Sequence, residues 1–175
     1  MQPAVKRLAI YAHYDAAGLV RRFTTHYLAE LAKSCQRVEF VSTAALSDTE
    51  LAKAARHCDH AVTKDNEGFD FGMWKHVIDN LDLHDIDELV LTNSSVFGPM
   101  FPLEPMFAKM TAADCDFWGA TDNYEHAWHL QSYFLVFKRP VLEDIAFRRF
   151  WDSVLPYRDK LQIIRSYEIG MTLHL

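Results

Sequence analysis

The chain has 175 residues, of which 50% are apolar and 24% are charged, and its formal net charge at pH 7 is -6. At about 150 residues per domain, this length and composition predict one globular domain over residues 1–175. The acidic balance argues against a nucleic-acid binder and against a protein held on anionic lipid by charge. Three cysteines without CxxC spacing predict no disulfide framework and indicate a reducing compartment.

The first half of the chain alternates strands with helices. Apolar runs at 8–12 and 38–41 are typical of strands covered on both faces, and apolar residues at helical spacing follow the first run. Ser47 and Glu50 form a capping box that opens a second helix. The next elements are a strand at 61–63, a helix through 71–81 and a strand at 88–92. This alternation predicts an α/β fold, a mostly parallel doubly wound sheet with helices on both faces.

The second half of the chain has a less regular pattern. Its predicted elements are a helix at 103–110, strands at 117–120 and 133–137, and helices at 141–154 and 158–172. No internal repeat or linker indicates a second domain. No apolar stretch approaches the roughly 18 residues that span a bilayer, so a lipid-linked substrate would be met at the membrane surface.

Ligands of doubly wound sheets bind beyond the carboxyl ends of the strands, which directs attention to the residues after each strand. His13, Tyr14 and Asp15 follow the first strand. An aromatic ring there can stack on a base, and a carboxylate can accept from a base or a ribose hydroxyl. A polar turn is the alternative interpretation.

The segment after the third strand contains Asn66, Gly68, Asp70 and Gly72 and runs into a helix. The glycines permit close approach of a ligand to the backbone, Asp70 can bind ligand hydroxyls, and the start of the helix favours an anion. The alternative is a helix cap with two packing glycines.

Asn93, Ser94 and Ser95 close the fourth strand at the same edge. Their neutral oxygens and donors suit a diphosphate or a sugar but make a poor metal cage, because Mg2+ sites normally include a carboxylate. A plain turn ending in Gly-Pro is the alternative.

Two further groups of polar side chains are candidates from the second half. Asp116 could face the site, although its place before a strand favours bonds to neighbouring backbone amides. His129, Gln131 and Ser132 are candidates for contacts with sugar hydroxyls.

Glu168 lies on the predicted last helix in a stripe with apolar residues. Leu161, Ile164, Glu168 and Met171 follow one another at i, i+3, i+7 and i+10. One carboxylate therefore shares the apolar face. Partial burial would suit it to general-base work, and an internal salt bridge with an arginine is the alternative.

Five blocks in chain order resemble the rhamnan synthesis protein F family. They are NEGFDFG (66–72), NSSVFGP (93–99), DFWGAT (116–121), HLQSYF (129–134) and YEIGMT (167–172). The resemblance runs from about residue 8 to the end of the chain. It implies a glycosyltransferase of cell-surface polysaccharide assembly, with a GT-A-like sheet and a nucleotide-sugar donor.

The resemblance also bears on the cofactor. GT-A enzymes commonly hold a divalent cation, Mn2+ or Mg2+, through an Asp-containing motif, and the family usually has Asn-Asp-Ser where this chain has Asn93, Ser94 and Ser95. We therefore expect weaker metal dependence than in a transferase that keeps this carboxylate. The chain is also shorter than GT-A enzymes, so acceptor-side elements are expected to be missing or to come from another chain.

The function predicted from these observations is transfer of a sugar, with rhamnose first and dTDP-rhamnose as the leading donor, to a glycan or lipid-linked glycan. Glu168 or Asp116 is predicted to act as the base. The alternative is a catalytically weak nucleotide-sugar or glycan-binding module beside a complete partner transferase. Either function is expected in the cytoplasm, at the inner face of the membrane when the acceptor is lipid-linked. A hydrolase on the same sheet has no nucleophile motif to support it.

Overall fold

The computed structural model describes residues 5–175, so residues 1–4 of the predicted domain lie outside it. The strands are β1 (Arg7–His13), β2 (Arg37–Ser42), β3 (His60–Thr63), β4 (Glu88–Asn93), β5 (Phe117–Gly119), β6 (Asp122–Asn123), β7 (His129–Leu130) and β8 (Phe134–Lys138). The helices are α1 (Arg22–Ser34), α2 (Asp48–Ala55), α3 (Phe69–Ile78), α4 (Glu104–Thr111), α5 (Arg139–Glu143), α6 (Ile145–Ser153), α7 (Lys160–Ile163), a π-helical segment (Ile164–Ile169) and α8 (Gly170–His174).

Six strands form one sheet in the order β3-β2-β1-β4-β8-β5. The strands β3, β2, β1 and β4 are parallel, whereas β8 is antiparallel to both of its neighbours. The chain moves outward from β1 to β2 and β3 and then returns to the other side of β1 as β4. The topological switch point therefore lies between β1 and β4. The small β6–β7 sheet, made of two-residue strands, was not predicted.

The core has one part on each face of this sheet. Along β1, Leu8, Ile10 and Ala12 pack with α3 and the helices of the carboxyl-terminal part, whereas Ala9 and Tyr11 pack with α1, α2 and α4. Successive side chains of a strand point to opposite faces, so a strand covered on both faces has an unbroken apolar run. The prediction of a mostly parallel sheet with helices on both faces is confirmed.

Two of the predicted helices differ from those in the structure. The helix predicted at 141–154 is two helices, because Asp144 has extended backbone and its carboxylate accepts a hydrogen bond from Ala146 N at 2.7 Å. The last helix begins at Lys160, after Asp159 accepts from Leu161 N at 2.9 Å. Among residues 5–175, no helix is both long and apolar enough to cross a bilayer.

Candidate functional site

The carboxyl ends of β1 and β4 border a cleft of about 650 Å³, which we call the carboxyl-edge cleft. It lies at the switch point, where doubly wound sheets bind their ligands. A larger cavity of about 790 Å³ beside α3, α5 and α6 contains no residue predicted to act in the site, so the smaller cleft is the candidate. The predicted site residues that line the cleft are Tyr14, Asn66, Asp70, Asn93, Ser94, Ser95, Gln131, Ser132 and Glu168.

A hydrogen-bonded pair, Asp70 and Asn93, joins the start of α3 to the end of β4. Asn93 Nδ2 donates to Asp70 Oδ2 at 2.8 Å, and Asn93 Oδ1 accepts from Ser95 N at 3.0 Å. Burial raises the pKa of Asp70 to about 6, and the negative charge of Glu168 adds to this rise. The ammonium of Lys160 and the hydrogen bond from Asn93 oppose it. The pair therefore presents a carboxyl group that titrates close to neutral pH.

The turn into α3 has unusual backbone. Gly68 and Phe69 both have positive φ, at 80° and 51°, and a non-glycine residue adopts this conformation only at a cost. A Cβ added to Gly72 would lie 1.7 Å from the carbonyl oxygen of Glu67. Gly68 is buried and does not line the cleft, so both glycines serve the turn and its packing. Asp70 itself occupies the first turn of α3, where an anion was predicted to bind.

Glu168 reaches the cleft from the π-helical segment. Its Oε1 accepts from the backbone N of Ser132 at 2.8 Å and from the Ser132 hydroxyl at 3.0 Å. Within residues 5–175 its Oε2 accepts no hydrogen bond, and no arginine pairs with this carboxylate, which removes the salt-bridge alternative. The predicted stripe is broken, because Leu161 is 62% exposed while Met171 is buried. The wider π-helical turn changes which side chains share a face.

Two histidines predicted to bind ligands are buried instead. His13 is 1% exposed, and its Nδ1 lies 2.8 Å from Ser42 Oγ. Burial lowers the pKa of His13 to about 4, so this imidazole is neutral at pH 7. His129 is 3% exposed, with Nδ1 2.9 Å from the carbonyl oxygen of Ala127. Neither ring lines the cleft.

Of the residues that follow β1, Asp15 stabilises a turn and Tyr14 lines the cleft. Asp15 accepts from the backbone N of Ala17 at 2.9 Å and pairs with Arg21 at 2.8 Å, which makes it the polar turn that was the alternative interpretation. Tyr14 lines the cleft and is 55% exposed. The Ser94 hydroxyl accepts from Tyr14 N at 3.1 Å and donates to Tyr14 O at 3.3 Å, tying the loops after β1 and β4 together.

Asp116 lies at the opposite edge of the sheet. Phe117 is paired with Phe137, and β5 runs in the same direction as β4, so residue 116 precedes the amino end of the strand. The carbonyl oxygen of Asp116 accepts from Lys138 N at 2.9 Å. The structure therefore does not bring Asp116 to the cleft, and Glu168 is the predicted base that it does bring there.

Several residues that line the cleft were not among the predicted site residues. They are Thr43, Phe69, Phe71, Met73, Val96, Tyr133, Lys160, Ile163 and Ile164. Asp159 is a typical N-cap residue and could have indicated that a helix begins at Lys160. The contact of this segment with the cleft depends on long-range packing and could not be predicted.

The side chains of the cleft do not fit a dedicated metal cage. Residues 5–175 contain no cluster of three His, Cys, Asp or Glu side chains arranged to hold an ion. Asp70 already accepts from the Asn93 amide, and the Ser94 hydroxyl is bonded to the Tyr14 backbone. An Mg2+ or Mn2+ ion here would depend on oxygens from the ligand.

A known structure has a similar fold. The crystal structure of 4-diphosphocytidyl-2C-methyl-D-erythritol synthase from Anaerococcus prevotii aligns with a TM-score of 0.51 and 12% sequence identity, covering 93% of this chain and 82% of that chain. At this identity the likeness concerns the fold alone.

Two curated relatives are similar in sequence. The uncharacterized protein y4gN of Sinorhizobium fredii is 27% identical over 177 residues, which cover 98% of this chain and 46% of that protein. The virulence protein VirA of Vibrio anguillarum is 29% identical over 132 residues, which cover 72% of this chain and 41% of VirA. The chain thus spans less than half the length of these relatives.

The family model described as rhamnan synthesis protein F matches residues 38–175. That range contains all five blocks on which the resemblance rested, as well as every lining residue of the cleft except Tyr14. The chain belongs to the rhamnan synthesis protein F family.

Proposed function

We propose that this chain is a glycosyltransferase of polysaccharide assembly that binds a nucleotide-sugar donor in the carboxyl-edge cleft. One observation carries the proposal: the Asp70–Asn93 pair and the Glu168 carboxylate, from separate parts of the chain, line the same cleft at the switch point. Membership of a rhamnan synthesis family supports a polysaccharide product, and it makes rhamnose the first sugar to test.

The donor would lie along the ends of β1 and β4. Tyr14 offers an exposed ring for a base, and Asn66, Ser94 and Ser95 offer neutral hydrogen-bonding groups for the ribose and the diphosphate. Asp70 would accept from sugar hydroxyls. The leading donor in this proposal is dTDP-rhamnose, because the family is one of rhamnan synthesis.

The acceptor would lie beside Gln131 and Ser132. The two donors of Ser132 hold Glu168 Oε1, which leaves Oε2 to take the proton of the acceptor hydroxyl. In an inverting reaction, the acceptor oxygen bonds to the anomeric carbon as the bond from that carbon to the diphosphate oxygen breaks. The electron pair of the broken bond leaves with the diphosphate. In this proposal the acceptor is a glycan or a lipid-linked glycan. The reaction takes place in the cytoplasm, at the inner face of the membrane when the acceptor is lipid-linked.

A second candidate is a binding module that retains the donor for a partner transferase chain. The absence of a metal-binding cluster among residues 5–175 favours it, since many transferases use a divalent cation to activate the diphosphate. The same experiment separates the two functions.

The experiment is a donor panel. Thermal shift and sugar release are measured for dTDP-, UDP- and GDP-sugars, with and without Mn2+, in the presence of candidate glycan acceptors. Turnover of one donor establishes the transferase. Binding without turnover favours the module, and the absence of any thermal shift contradicts both functions.

A further inference from the structure

Three charged side chains in the carboxyl-edge cleft lack an ion-pair partner. Asp70, Glu168 and Lys160 line the cleft, and within residues 5–175 none of them has an oppositely charged atom within 4 Å. At the opposite edge of the sheet, by contrast, Arg7 pairs with Glu88 at 2.5 Å. The charged side chains of the cleft are therefore not neutralised by ion pairs within the part of the chain that the structure describes.

Lys160 is the one cationic side chain among the described residues that line this cleft. Its side chain forms no hydrogen bond within residues 5–175, and it is exposed at the start of α7. Its charge nevertheless reaches Asp70, where it opposes the effect of burial. The ammonium therefore lines the same cleft as the Asp70–Asn93 pair and is free to contact a ligand.

Two carboxylates in one cleft would repel a diphosphate unless a positive charge offsets them. The described side chains do not form a metal cage, and an ammonium can supply that charge as a point cation. We propose that Lys160 binds the diphosphate of the donor and that this binding needs no divalent cation. This inference rests on the proposed function.

The test is calorimetric titration in a buffer that contains EDTA. dTDP, UDP and GDP are first titrated into the wild-type chain to find the nucleoside diphosphate that binds most tightly. The dissociation constants of that diphosphate and of the corresponding monophosphate are then measured for the wild type and for each variant. The variants are Lys160→Met, Lys160→Arg and the matched control Lys109→Met, an exposed lysine of α4 that does not line the cleft. Thermal unfolding of each variant reports its folding.

We expect Lys160→Met to weaken diphosphate binding at least about tenfold and monophosphate binding by less than about threefold, because the second phosphate loses a charge-assisted contact. Lys160→Arg should restore most of the affinity, and Lys109→Met should match the wild type. Unchanged affinity in a folded Lys160→Met variant, or wild-type binding only when Mn2+ is added, overturns the role of Lys160 and leaves the proposed function standing. No nucleotide binding with or without Mn2+ overturns both.

Discussion

Asp70 and Glu168 share the carboxyl-edge cleft, yet their surroundings differ. Asp70 is packed at the start of α3 and its pKa is raised to about 6, whereas Glu168 has one oxygen held by two donors of Ser132. Two carboxyl groups in unlike environments can take separate roles in one reaction. In our proposal Asp70 binds sugar hydroxyls and Glu168 takes the proton.

The raised pKa of Asp70 makes its substitution stabilising. Between about pH 4 and pH 6 the unfolded chain releases this proton while the folded chain keeps it, so stability falls as the pH rises through that window. Above about pH 6 Asp70 is ionised in the folded and the unfolded chain, and the folded state bears the whole free-energy cost of burying its charge. Asp70→Asn should therefore raise the free energy of unfolding by up to about 3 kcal/mol near pH 7.5, with the gain vanishing near pH 4.

Chemical denaturation of both proteins across this pH range measures the gain. Asp65→Asn, at an exposed carboxylate in the loop before α3, is the control and should give none. A gain that is constant with pH would show that Asp70 is not the titrating group. We also expect Asp70→Asn to weaken donor binding, since the proposal has this carboxylate accept from the hydroxyls of the donor sugar.

Replacing Glu168 by Gln removes the proton acceptor while keeping an oxygen that can accept from Ser132. Turnover should fall roughly 100-fold or more, and the donor dissociation constant should not rise by more than about twofold. Steady-state kinetics and calorimetric titration measure the two quantities. Ser132→Ala, which removes one of the two donors, should lower turnover by a smaller factor. Full turnover in a folded Glu168→Gln variant would assign this carboxylate to structure.

Helix α3 holds one residue of the candidate site in position. Its first turn positions Asp70, and that turn closes only because Gly72 lets the chain pass next to the Glu67 carbonyl. Gly72→Ala should destabilise the protein by about 3 kcal/mol or more, because the clash is with backbone rather than with a flexible side chain.

Gly170 offers the matched comparison. It is also helical, but a Cβ there would meet no heavy atom closer than 3.9 Å. Gly170→Ala should therefore be neutral or stabilise by up to about 1 kcal/mol, as expected for this change in a helix. Denaturant unfolding of both variants tests the pair, and equal effects would contradict the close-packing role of Gly72.

At the scale of elements, the sequence predicted what depends on local pattern. All six strands of the main sheet were predicted to within about two residues, because strands buried on both faces leave apolar runs. The break at Asp144 was missed because apolar spacing continues across it. The position of Lys160 depends on how the carboxyl-terminal helices pack against the sheet. The burial of His13 could have been predicted, because Ala9, Tyr11 and His13 occupy every second position of β1 and so lie on the same buried face.

The whole molecule has two unlike edges. At the amino edge of the parallel strands Arg7 pairs with Glu88, its guanidinium lies 4.7 Å from the centre of the Phe107 ring, and Arg139 pairs with Asp87 at 2.9 Å. At the carboxyl edge, the charged side chains of the cleft have no such partners within the described residues. Arg7, Glu88, Asp87 and Arg139 are thus neutralised at the amino edge, whereas the charged side chains of the cleft remain available to a ligand.

The direction of β5 in the sheet places Asp116 at the amino edge, away from the cleft. Because it lies at the amino edge, Asp116→Asn should keep turnover within about twofold of the wild-type value. The same assay applied to Glu168→Gln supplies the comparison. A loss of roughly 100-fold in a folded Asp116→Asn variant would move the base to the opposite edge and contradict the proposed site.

The most direct test of the carboxyl-edge cleft as the donor site is amide hydrogen exchange with and without the nucleotide-sugar that gives the largest thermal shift. The account predicts slower exchange in residues 66–73, 93–96 and 160–168, which border the cleft, and unchanged exchange in residues 81–86 and 139–148, which border the larger cavity. Protection confined to the second pair of segments would place the donor at the wrong edge and contradict the account.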